Sequence, residues 1–127
     1  MDKLLYRIAA VLAFIIGAMA VFAGGQVLLG RDPGYYVIDW LPIYNFALGV
    51  ISVAITAILI WKRSSYAVPA AIATFSAHAV VMLILQIAYR DVVAVDSLVA
   101  MTIRLAAWLI ILVLLYVGLR KRPSAAA

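Results

Sequence analysis

Four apolar stretches, each able to cross a bilayer, occupy most of a chain of 127 residues. They run over residues 4–22, 41–61, 67–88 and 98–119, and each meets the requirement of about 20 predominantly apolar residues for a helical span. This predicts an all-α integral membrane protein with four transmembrane helices in an up-down bundle. Residues 1–127 form a single domain, because nothing between the stretches is long enough for a soluble one. A hydrophobic fraction of 69% against 12% charged residues lies far from the composition of soluble domains, where apolar residues make up about half.

The net charge of +5 suggests nucleic acid only until the basic residues are placed. They stand at the ends of the spans and not on a soluble face, so they speak of topology, and the partner they imply is the lipid bilayer. Lys3 and Arg7 precede the first span, Lys62 and Arg63 fill the turn after the second, and Arg120, Lys121 and Arg122 follow the fourth. These share one side of the membrane. The other side carries Arg31, Asp32 and Asp39, then Arg90, Asp91 and Asp96. The positive-inside rule makes both termini cytoplasmic, and a bacterial inner membrane is the expected location. Aromatic belts agree, with Tyr6, Trp61, Tyr66 and Tyr116 on the inner side and Tyr35, Tyr36, Trp40 and Tyr89 on the outer.

The first span also reads as a signal peptide, with cleavage sites at Ala18-Met19-Ala20 or Phe22-Ala23-Gly24. Retention is the expectation, since its apolar run exceeds the usual signal core of about 7–15 residues. Ala10, Ala13, Gly17, Ala20 and Gly24 also alternate at spacings of three and four, giving one face small enough for close helix approach. Residues 24–40 read as an external loop with a turn at Arg31-Asp32-Pro33-Gly34. Its glycines lack the lysine and Ser/Thr register of a phosphate cradle. Tyr35, Tyr36, Val37, Ile38 and Trp40 suit it to capping the bundle.

Three spans each present a polar stripe. Asn45, Gly49, Ser52 and Thr56 follow one another at helical spacing in the second, Thr74, His78, Met82 and Gln86 in the third, and Met101, Arg104 and Trp108 in the fourth. Lipid cannot satisfy such groups, so the stripes turn inward. At about 1.5 Å per residue, Asn45, Gln86 and Arg104 share a layer about 25 Å from the inner edge, and His78 lies about 16 Å in. The pattern predicts an outer-facing polar cleft descending to His78.

Arg104 carries an insertion penalty of about 3 kcal/mol at a helix centre and less near an interface, so it needs compensation. One reading has it snorkel to phosphates or pair with Asp96 or Asp39. In the sharper one it binds the anionic or carbonyl head of a ligand, helped by Asn45 and Gln86. His78 is the only histidine. Its simplest role is a hydrogen bond to Ser52 or Thr56, and its functional one is to carry a proton, metal or haem iron. His78 with Met82 makes too few ligands for zinc or copper, so no metal site is assigned.

Catalysis is not expected. The chain has no glutamate and no cysteine, and its aspartates all lie outside the apolar stretches. No acid/base pair, HExxH, GxSxG or thiol redox centre can be assembled, and no cofactor is implied.

The segments Leu41-Pro42-Ile43-Tyr44-Asn45-Phe46-Ala47-Leu48-Gly49-Val50-Ile51-Ser52-Val53 and Met101-Thr102-Ile103-Arg104-Leu105-Ala106-Ala107-Trp108 resemble those of small four-span bacterial membrane proteins of uncharacterised activity. The resemblance implies a four-span fold and marks Asn45, Arg104 and Trp108 as defining positions, without bringing an activity.

Three functional expectations follow. The leading one is a non-enzymatic accessory or assembly subunit, or self-associating scaffold, that packs against other membrane chains or itself. The alternative is a binding or carrier module for a lipophilic molecule such as a quinone or lipid, with Arg104, Asn45, Gln86 and His78 as polar contacts and Trp108, Met82 and Tyr44 as walls. The third is haem held by His78 across a dimer.

Overall fold

The computed structural model describes residues 2–121. Arg122 and the tail after it lie outside the described residues. Helix α1 spans Asp2–Leu28. Helix α2, Leu41–Ile51, runs through a π-helical turn, Ser52–Thr56, into α3, Ala57–Trp61, making one continuous second span, Leu41–Trp61. Helices α4, Ala67–Ile87, and α5, Val95–Lys121, complete a set of four rods long and apolar enough to cross a membrane.

The first helix is longer than its hydropathy suggests. Gly24 and Gly25, read from sequence as the start of the loop, lie inside α1, and the chain leaves the helix only at Gly30. There Gly30 takes φ +97°. Its N–H donates to Val27 O and that of Arg31 to Gln26 O, both at 3.0 Å, the bonding of a Schellman stop. The loop is therefore residues 29–40. Its expected turn is present: the Gly34 N–H donates to Asp32 Oδ1 at 2.9 Å, and Gly34 has φ +86°. The fourth helix likewise begins at Val95 instead of 98, with Asp96 in its first turn, where the helix dipole favours an acidic side chain. Pro42 and Pro69 sit in the first turns of α2 and α4, where a missing N–H costs no helical bond.

Helix α1 packs between the second span and α5, and α4 leans on α5 and on the π turn and α3. Contact between α1 and α2 is backbone to backbone. A Cβ added at Gly24 would lie 2.6 Å from Pro42 O, and one at Gly49 2.7 Å from both Gly17 O and Val21 N. The small-residue stripe of α1 is thus buried within the chain, with Ala13 fully buried and Ala10 and Ala20 nearly so.

Two apolar clusters fill the interior. At the end carrying Lys3, Arg7 and Lys62 (the basic end), Tyr6, Ala9 and Ala13 meet Ile60, Ala71, Ile111 and Leu115. At the opposite, loop end, Ile38, Leu41, Val81, Leu85 and Met101 close the bundle. Between them lies a layer of polar side chains.

Candidate functional site

Each member of that layer arrives by helical periodicity. On α5, Met101, Arg104, Trp108, Ile111 and Leu115 repeat at three and four, and all are buried. Arg104 is 6% exposed. Its Nη1 donates to Asn45 Oδ1 of α2 at 2.6 Å and to Met101 Sδ at 3.4 Å. Neither aspartate considered from sequence is its partner: Asp39 and Asp96 are exposed, and no described carboxylate pairs with Arg104. Asp96 stands eight residues earlier, about 12 Å along the axis, beyond the reach of a short carboxylate. The charge is met by a neutral amide and a thioether.

His78 of α4 is buried and hydrogen-bonded through Nδ1 to the Tyr44 hydroxyl at 2.7 Å. The two rings meet edge to face, with centroids 5.7 Å apart. Trp108 closes the other side of the imidazole at 6.5 Å. The simplest role expected for His78, a hydrogen bond to Ser52 or Thr56, is not what the structure shows; its partner is Tyr44, expected from sequence as an apolar wall. Ser52 and Thr56 are committed elsewhere. Ser52 Oγ donates back to Leu48 O at 2.7 Å, and Thr74 Oγ1 to Ala70 O at 2.9 Å. The Thr56 hydroxyl faces that of Thr74 at 3.3 Å. Since the Thr74 proton is engaged with Ala70, Thr56 is left as donor in this long pair. The signal for Tyr44 was available: it adjoins Asn45, so both fall on the inward half of α2.

Gln86 departs from expectation. It is exposed, whereas Thr74, His78, Val81 and Leu85 are buried. A step of four overshoots one turn by about 40°, so three successive steps carry Gln86 about 120° away from Thr74. The true inward stripe of α4 alternates threes and fours. Met82 is half-buried and packs against the loop-end cluster with Trp40, Tyr44 and Tyr89. The cap over this cluster is fixed by Trp40 Nε1, which donates to the Tyr89 hydroxyl at 3.0 Å. Tyr35 and Tyr36 stay exposed while Ile38 plugs the bundle.

The expected cleft is therefore occupied by its own lining. A cavity near Asn45, beside Tyr35 and Ser97, has a volume of about 30 Å³, room for about one water and too little for a quinone ring. Among the described residues no group of three or more His, Cys, Asp or Glu side chains could hold a metal ion. Chemically, the layer can cross-link helices: Arg104 ties α5 to α2, His78 ties α4 to α2, and Thr56 ties the π turn to α4. Compared with family models, curated proteins and solved structures, the chain finds no match.

Proposed function

We propose that this chain is a small non-enzymatic accessory or assembly subunit of a bacterial inner membrane, both termini cytoplasmic, that works by packing laterally against other membrane chains or copies of itself. The observation that carries this reading is the mutual satisfaction of the interior polar groups. Arg104 bonds Asn45 and His78 bonds Tyr44, so the residues best able to handle a ligand instead hold helices together. What the molecule offers to its surroundings is an apolar exterior, with Phe14, Met19, Val80, Leu83, Ile103 and Val113 all exposed. The small-residue face of α1 supports the fold and not the association, because it is already covered by α2. Association then falls to the outward faces of α1, α4 and α5.

Native mass spectrometry of the protein released from its own membrane in mild detergent tests this. A second chain, or a stable multimer, leaving with it is the expected result. An exclusively monomeric protein with no companion would overturn it.

A further inference from the structure

A sizeable groove lies on the outside of the bundle. With a volume of about 510 Å³, it runs between α1 and the second span, its floor made by Ala10, Ala54 and Ala57 and its rims by Phe14, Ile58 and Trp61. It shares Val11 and Trp61 with a hollow of about 310 Å³ toward Arg7, and Val53 and Ala54 with one of about 380 Å³ toward Phe22. From Arg7 to Phe22 the groove follows α1 for about 22 Å, more than half the thickness of a hydrocarbon core of about 30 Å. The π turn Ser52–Thr56 supplies part of its floor, and π turns of this kind recur at functional positions.

Its two ends differ. Toward Phe22 the walls stay apolar. At the other end the Arg7 guanidinium lies over the Trp61 ring, 5.1 Å from the centroid, with exposed Lys3 and Lys62 nearby in sequence. A cation over a ring uses the flat face of the guanidinium and leaves its in-plane N–H donors for oxygen acceptors. Among the residues whose side chains are described, none accepts a hydrogen bond from Arg7.

We infer that this groove binds one anionic phospholipid, an acyl chain lying along Ala10, Ala54 and Ala57 and the phosphate held at Arg7 and Lys62. Charge decides the occupant. An apolar trough leading to a fixed guanidinium matches a molecule with a hydrocarbon tail and an anionic head, and basic pockets at helix ends recognise such headgroups. A second copy related by an axis along the membrane normal would bring its own Arg7 and Lys62 to the same level, and like charges would oppose it. The inference concerns a lateral site distinct from the filled interior, and it stands whether or not a partner chain exists.

The test uses purified full-length protein equilibrated with mixed micelles of palmitoyl-oleoyl phosphatidylglycerol and the matching phosphatidylcholine, followed by native mass spectrometry. Wild type should keep one phosphatidylglycerol in preference to phosphatidylcholine. Arg7→Gln should cut that preference about fivefold while leaving some lipid bound, since each basic residue near the surface contributes about one such factor. Ala54→Phe, at an exposed position, should abolish retention of both lipids, and Val11→Trp provides a second filling variant if the first fails to fold. Equal retention of the two lipids by wild type would overturn the inference. So would unchanged phosphatidylglycerol retention in both filling variants, or a cross-linked dimer formed through a cysteine at Ala54.

Discussion

Arg104 on α5 and Asn45 on α2 are 59 residues apart and joined by a 2.6 Å charge-assisted hydrogen bond inside the bundle, with no carboxylate to share the charge. The asymmetry between the partners gives a prediction. Asn45→Leu leaves a buried guanidinium without its oxygen acceptor, whereas Arg104→Met removes the charge itself. Asn45→Leu should therefore destabilise by about 2–5 kcal/mol and Arg104→Met by less. The double variant should fall short of the sum, measured by reversible unfolding in mixed micelles.

The Tyr44–His78 bond should have a smaller effect. Tyr44→Phe keeps the edge-to-face ring contact and loses only the hydroxyl, at a cost of about 1 kcal/mol, in line with interhelical hydrogen bonds in bilayers. His78→Leu should cost more, about 1–3 kcal/mol, because it strands the Tyr44 hydroxyl. Thermal melts of the two variants in detergent would order them, and the reverse order would count against the bond.

Gly24 and Gly25 are neighbours with opposite expected sensitivities. A Cβ at Gly24 would meet backbone atoms at 2.6 and 2.8 Å, while one at Gly25 would find only the Phe46 ring at 3.6 Å. Gly24→Ala should destabilise by about 1–3 kcal/mol through overpacking of α1 on α2. Gly25→Ala should be neutral or slightly stabilising, since alanine is the better helix former. Unfolding midpoints of the pair would show whether α1 continues past residue 24.

Orientation is open to a direct probe because the chain has no cysteine to give background. Ser65→Cys lies in the turn between α3 and α4, and Asp32→Cys in the loop at the opposite end. With both termini cytoplasmic, an impermeant maleimide added to intact cells should label Asp32→Cys alone, and Ser65→Cys only after lysis.

Much of this molecule was legible before any coordinates. The number of spans, the inward faces of the second and fourth, and the burial of His78 all follow from local properties, since a helix turns by a constant angle and lipid excludes polar groups. The end of α1 was not legible. Gly24 and Gly25 read together as breakers, whereas the role of Gly24 is defined by Pro42 and Phe46, residues distant in sequence whose backbones leave no room for a Cβ there. Gln86 was misplaced for a different reason, the drift of a four-residue repeat around the helix.

What the chain determined by itself is a set of four helices long and apolar enough to cross a bilayer, and which of their faces, marked by polar stripes, turn inward. Only the tertiary structure decided the partners. Arg104 took Asn45 over an aspartate and His78 took Tyr44 over Ser52 or Thr56, because such choices depend on the angles and offsets at which helices pack, and these are set by steric fit such as that of Gly49 against Gly17. Hydrogen bonds between distant positions form where that fit leaves donor and acceptor within 3 Å, a condition no periodicity along one helix contains.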